Sequence, residues 1–192
     1  MNKLIVVVTS IGKVFGLHSS NGQIIWSFYL KNSISFETTN DKKKFMPLFV
    51  QRTAAHYPYN AQCVIISKLK NDDSKTIITF FNPLNGEKLK EHQNDDLILD
   101  FKIKQVYLAN IANNHFLKPL IILDSQNKVH ILPKTSQELI SKSKKPYSVY
   151  TADKNSLTGY CVSVSRKRRS FLEQKWLIFT FHRIVIIKTM EC

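Results

Sequence analysis

Residues 4–30, LIVVVTSIGKVFGLHSSNGQIIWSFYL, read as three β-strands joined by two short turns, with Trp26 on the last strand. The first run, residues 4–9, is mostly β-branched and apolar, which predicts a strand buried on both faces. Gly12 supplies a positive φ for the first turn, and Val14, Gly16 and His18 then alternate with Phe15 and Leu17 along a second strand. Asn21-Gly22 predicts a type I′ hairpin turn, in which both central residues need φ > 0. The chain then returns along residues 23–30.

The pattern recurs down the chain, which is the first thing to test in a sequence so rich in strands. Residues 63–69 and 76–82 are strands around a polar turn at 71–74, and Asn85-Gly86 stands where Asn21-Gly22 stands in the first copy. A third copy runs through strands 120–123, 128–132 and 138–142, with a turn at 124–127. A weaker fourth comprises 147–150, a turn at 153–156, and 157–164, with 171–181 as an outer strand. Residues 45–53 and 98–111 connect the copies and carry strand signals of their own, whereas helix signals are weak. Residues 136–140 could form one helical turn, too short to stand alone. The unit, an apolar strand, a glycine turn, a second strand, an Asn-Gly turn and a strand bearing Trp, resembles one blade of a quinoprotein-type β-propeller. The expected fold is all-β: a partial quinoprotein-like β-propeller of roughly three to four blades of antiparallel strands. Residues 1–165 are expected to form it, with 166–192 a weakly matching tail that supplies either the last outer strands or a non-native end. In such a blade Trp26 and Trp176 pack against a neighbour while each indole N–H finds one acceptor.

Composition narrows the function. At 192 residues, 43% hydrophobic and 11% aromatic, the chain is not of a disordered class. Its formal charge of +14 comes from 28 Lys and Arg against 14 Asp and Glu. The cations are mostly lysines scattered through turns and strand ends in an Asn-rich background, so no nucleic-acid partner is expected. Cys63, Cys161 and Cys192 stand far apart, with no CxxC and no His at metal spacing. The N-terminal apolar run is followed by Gly12, Lys13 and a polar turn, so it reads as a strand and not a signal peptide. The apolar stretch 176–181 is far below the roughly 20 residues that a membrane span needs. Polar segments at 33–44, with Lys42-Lys43-Lys44, at 88–96 and at 141–145 read as surface loops.

No enzyme is expected. His56, in Arg52-Thr53-Ala54-Ala55-His56-Tyr57-Pro58, would need an orienting carboxylate to act as a general base, and none lies in that segment. Arg52 and His56 suit a structural role, satisfying backbone carbonyls between blades, because the planar guanidinium fork holds two acceptors at once. A quinone site would want carboxylates and cations converging on the propeller axis, and Asp100 and Asp124 alone do not make one. Arg166-Lys167-Arg168-Arg169 reads as a solvated turn. Catalytic, cofactor-binding and metal-ligating residues are accordingly assigned to no position, and no cofactor is expected.

Several segments together resemble one family, subunit 1 of the endoplasmic reticulum (ER) membrane protein complex. The most specific is Val50-Gln51-Arg52-Thr53-Ala54-Ala55-His56-Tyr57-Pro58 followed by Gln62-Cys63. Val8-Thr9-Ser10-Ile11-Gly12-Lys13-Val14-Phe15-Gly16, Ser20-Asn21-Gly22-Gln23-Ile24-Ile25-Trp26, Phe81-Asn82-Pro83-Leu84-Asn85-Gly86 and Leu120-Ile121-Ile122-Leu123-Asp124 support it in order and spacing. The family motif thus places Gln51, Arg52, Thr53, His56, Pro58, Gly22, Trp26, Asn85 and Gly86 as structural positions. The resemblance runs across most of the chain but covers a minor, middle part of a family member, and it weakens after Val164, keeping Trp176 and His182-Arg183-Ile184-Val185. It implies a lumenal, propeller-bearing scaffold subunit on the ER membrane, with the rest of the propeller and a membrane anchor lying outside this chain. It also implies partners among the other subunits of a complex that inserts tail-anchored and multipass membrane proteins. The absent leader and anchor point to a fragment or shortened isoform, and residues 188–192 to a non-native end. Two rival readings are a fragment of a quinone-dependent dehydrogenase, from the blade pattern at Trp26, and a basic nucleic-acid-binding module, from the charge of +14.

Overall fold

A computed structural model describes residues 4–37, 43–89 and 96–142 in full, together with the backbone of strands 147–153, 156–162 and 178–181. The chain divides into two compact units, Met1–Leu132 and Pro133–Cys192. The secondary structure is dominated by strands in antiparallel sheets, with a single short α-helix among the described residues.

In the first unit, β1 (Leu4–Val8), β2 (Lys13–His18) and β3 (Ile24–Tyr29) form a three-stranded meander. The short strands β4 (Ser33–Ile34), β5 (Phe36–Glu37) and β6 (Lys44–Phe45) follow. Then β7 (Leu48–Arg52), β8 (Gln62–Leu69), β9 (Asp72–Phe81) and β10 (Leu97–Leu99) make a second, larger sheet, in which β4 also pairs with the end of β8. A third meander consists of β11 (Ile103–Leu108), β12 (Leu120–Asp124) and β13 (Val129–Leu132). Residues 45–53 and 98–111, connecting segments with strand signals of their own, are sheet members: β7 pairs with β8, and β10 and β11 with β9 and β12. Each supplies an extra ladder of backbone hydrogen bonds to a strand that would otherwise end in a bare edge.

The second sheet is apolar on both faces because its neighbours cover both. Along β8 and β9, Val64, Ile66, Ile78 and Phe80 face Ile103, Leu120 and Ile122 of the third sheet. The alternate residues Cys63, Ile65 and Phe81 face Val14, Leu30 and Met46 on the side of the first sheet. This period-2 division of one strand pair between two cores makes β8 and β9 read as continuous hydrophobic runs. Each fully buried Ile or Phe contributes about 2–3 kcal/mol of apolar burial. Strand β1 differs from expectation. Only Val6 and Val8 pack towards the core, while Ile5 and Val7 are 48% and 38% exposed. One face of the first sheet is thus open, so β1 is half-buried and its alternation matches a sheet covered on one side.

The turns repeat in hydrogen-bond detail. Thr9 and Asp124 each open a three-residue loop in which the backbone N–H groups of Gly12 and Asn127 donate to their carbonyls, with φ of +86° and +62° at Gly12 and Asn127. The Thr9 hydroxyl and the Asp124 carboxylate each accept the backbone N–H that closes the loop, from Lys13 and Lys128. The Asn-Gly loops also match one another, since Gly22 N–H donates to His18 O and Gly86 N–H to Asn82 O, each at 2.9 Å. Neither is the type I′ turn expected at Asn21-Gly22. Only the glycine has positive φ, +71° at Gly22 and +76° at Gly86, and the loop spans four residues around an i→i+4 bond. Asn21 and Asn85 instead use their side-chain oxygens to accept the N–H of Gln23 and Glu87. The expected turn at 71–74 tightens to Lys70-Asn71, with Asp72 already in β9 opposite Leu69.

In the second unit, residues 138–142, expected as a strand, lie in helix α1 (Gln137–Lys142), which overlaps the single helical turn expected at 136–140 and which a 3₁₀ turn at Lys134–Ser136 precedes. The pair Glu138–Lys142, 3.3 Å apart at i,i+4, and the Ser141 hydroxyl donating to Glu138 O favour helix over strand there. Strands β14 (Tyr147–Asp153), β15 (Ser156–Val162) and β16 (Ile178–Phe181) form an antiparallel meander. Trp176, Arg166-Lys167-Arg168-Arg169, His182-Arg183-Ile184-Val185, residues 188–192, and the central parts of the loops at 33–44, 88–96 and 141–145 lie outside the described residues.

Candidate functional site

Two long-range joints hold the first unit together, and they collect most of the residues that the sequence singles out. The first centres on Trp26. Its indole stacks on Phe28 at 5.8 Å, meets Phe81 edge-on at 5.9 Å, and donates from Nε1 to Pro83 O at 3.0 Å. Pro83 lies in the Asn82–Gly86 loop, so the first sheet is bolted to a turn of the second. Gly16 and Gly86 lie against the ring, where any side chain would collide with it. Gly22, by contrast, has open space around it and serves its own hairpin. Asn85 also donates to Glu87 Oε2 at 2.6 Å, closing the loop that carries Gly86.

The second joint ties the loop after β7 to residues 109–119, the long connection between β11 and β12. Gln51, 1% exposed, donates from Nε2 to Lys118 O at 3.0 Å, while its backbone carbonyl accepts the Lys118 N–H at 3.0 Å. Its Oε1 accepts from Gln62 Nε2 at 3.2 Å. Arg52 places its fork on two carbonyls, Nε on Asn60 O at 2.6 Å and Nη1 on His115 O at 3.0 Å, and its guanidinium lies 5.4 Å from the Tyr59 ring. His56 stacks on Phe116 with ring centres 4.6 Å apart, and Tyr59 meets His115 edge-on at 5.0 Å. Within the partner loop, Asn113 accepts the N–H groups of His115 and Leu117 on its side-chain oxygen and forms a backbone pair with Leu117. Thr53 and Pro58 are exposed residues of the same loop, and Tyr57 is 91% exposed. His115, Phe116 and Lys118 were not singled out from sequence. Their one signal was an aromatic residue set in the polar run Asn113-Asn114-His115-Phe116.

Chemistry elsewhere is sparse. No group of three or more His, Cys, Asp or Glu among the described residues could hold a metal ion. Burial pushes the Cys63 thiol up to about 11, so at neutral pH it stays a packed thiol and not a nucleophilic thiolate. Asp100 pairs with Lys75 at 3.1 Å on the surface.

Asp124 is the most elaborated carboxylate. It is buried, accepts the N–H groups of Gln126 and Lys128, and meets His130 Nε2 at 2.8 Å; His130 in turn stacks on Phe101. Burial alone would raise its pKa, but the bonds from His130, Lys128 and Gln126 outweigh burial and hold it below the ordinary carboxylate value. A depressed native pKa stabilises the fold fully above the unfolded value of about 3.9, and that stabilisation is lost as the pH falls through the native value. Asp124→Asn is therefore expected to cost about 1 kcal/mol at pH 7. In chemical denaturation at pH 7, 5, 4 and 3, the gap to wild type should hold at the upper two and narrow below pH 4. A constant gap to pH 3 would contradict the assignment.

Comparison with known proteins gives these joints a family setting. Residues 1–191 match the family model described as the second β-propeller of ER membrane protein complex subunit 1. A relative of that name from Gallus gallus is 29% identical over 195 aligned residues, covering 98% of this chain and 18% of its own length. One from Xenopus laevis is 37% identical over 139 residues, covering 72% of this chain and 13% of its own. The chain thus spans less than a fifth of either relative.

Proposed function

Because this chain belongs to the family of the second β-propeller of ER membrane protein complex subunit 1, we propose that it is a non-catalytic scaffold segment of such a subunit. In this reading it lies on the lumenal side of the ER membrane and supports the insertion of tail-anchored and multipass proteins by holding other subunits in place. The observation that carries it is the kind of residue on which the structure spends its polar groups. Arg52, Gln51 and Trp26 donate to backbone carbonyls 57 to 67 residues away in the chain, and Asn113 ties its own loop by accepting the N–H groups of His115 and Leu117. A rigid frame that spends most of these polar groups on its own backbone suits positioning more than turnover. Among the described residues no helix is long and apolar enough to cross a membrane.

Affinity purification of the tagged full-length product from detergent-solubilised membranes tests this reading. The expected result is co-recovery of the other subunits of the ER membrane protein complex in fixed proportion. Recovery of the folded protein without them would contradict it.

A further inference from the structure

We propose that the rim built by Arg52, Tyr57, Tyr59, His115, Phe116 and Lys118 is a docking surface for an acidic segment of a second protein. The inference rests on the scaffold reading and names the chemistry of one partner. Charge complementarity comes first. Residues 50–62 and 109–119 contain Arg52 and Lys118 but no Asp or Glu, so the rim carries positive charge that neither loop offsets. Arg52 uses Nε and Nη1 on the Asn60 and His115 carbonyls, while Nη2 has no acceptor among the described residues and remains available to a carboxylate.

Apolar area accompanies the charge. Tyr57 is 91% and Phe116 47% exposed, on loops that the Gln51–Lys118 and Arg52–His115 bonds hold fixed. Tyr and Arg on a rigid support are what binding hot spots are made of, because little side-chain entropy is lost on docking.

A nucleic acid would also seek cations and aromatics, but His56, Phe116, Tyr59 and His115 are already engaged with one another, which leaves the exposed Tyr57 as the stacking face. His56 lies flat on Phe116 at an interplanar angle of 4°, and Tyr59 is edge-on to His115 at 81°, which occupies faces that bases would stack on.

The test places a benzophenone amino acid at Tyr57, and separately at Phe116, in the tagged full-length protein within its native membranes. After irradiation, the expected product is a crosslink to a second protein at a peptide containing Asp or Glu. Lys118→Glu is expected to reduce that crosslink about five- to tenfold without shifting Tm, since the Lys118 side chain is exposed and its two bonds are made by backbone. Reversing the mapped carboxylate to Lys should restore the yield with Lys118→Glu. Crosslinks to nucleic acid, to the protein's own chain alone, or to nothing while the other subunits still co-purify would overturn the docking surface and leave the scaffold reading standing. A crosslink to an acidic peptide in a preparation lacking those subunits would support the surface and overturn the scaffold reading.

Discussion

Gly16→Ala is expected to lower stability by about 3 kcal/mol and to reduce Tm by roughly 6–12 °C. A Cβ at Gly16 would lie 2.2 Å from Trp26 Cε2 and 2.4 Å from Nε1, inside contact distance with a rigid ring. Gly86 also approaches the same ring, with a hypothetical Cβ 2.7 Å from Cδ2 and Cε3, which limits where the indole can move. Moving the indole would further break its bond to Pro83 O and the contacts to Phe28 and Phe81. Trp26→Leu removes the obstacle. In that background the alanine should cost less than about 1 kcal/mol, so the two changes should be strongly coupled in a double-mutant cycle. A melting curve for Gly16→Ala superimposable on wild type would mean that the ring is not held where the structure places it.

Gln51→Leu keeps side-chain volume and removes the polar group, and a loss of about 2–4 kcal/mol is expected. The change leaves the Lys118 carbonyl without its donor and removes the acceptor that Gln62 Nε2 uses, both inside the joint between the 51–62 segment and residues 109–119. The loss should be local as well as global. Amides of Leu117 and Lys118 should exchange faster with solvent in hydrogen-exchange mass spectrometry, whereas those of β2, in the first sheet, should change only in proportion to global stability. Unchanged protection at residues 113–118 would show that the joint does not depend on this glutamine.

These two positions were unequally visible in the sequence. Gly12, Gly22 and Gly86 announce turns because positive φ is inexpensive only for glycine, and all three have it. The buried runs of β8 and β9 and the apolar stretch 120–123 identify strands by pattern alone, and the meander order follows from short connections. What pattern does not carry is contact between distant segments. Gly16 reads as one more strand residue, and only the indole 10 positions later, reaching across to Pro83, shows why no side chain fits there. Arg52 and His56 stood out by their chemistry, a guanidinium fork and an imidazole in one loop, and Gln51 through family resemblance, while His115, Phe116 and Lys118, which complete the joint, have no periodicity to betray them.

The exceptions are instructive in the same terms. Residues 138–142 take the place of a third strand in the third copy of the repeat, but the Glu138–Lys142 pair and the Ser141–Glu138 bond favour a helical turn. Strand β1 is apolar along its whole length, yet half of it faces outward, because hydrophobicity reports what a strand can bury and not what covers it.

The scaffold account is tested most directly by grafting. In cells lacking endogenous subunit 1 of the ER membrane protein complex, the matching segment of the Xenopus laevis relative would be replaced by this chain, and insertion of a tail-anchored reporter measured alongside recovery of the other subunits. The account predicts that the graft restores both together and that the Gly16→Ala graft restores neither. A graft that is stably produced at the ER membrane but recovers no other subunit and restores no insertion would contradict it.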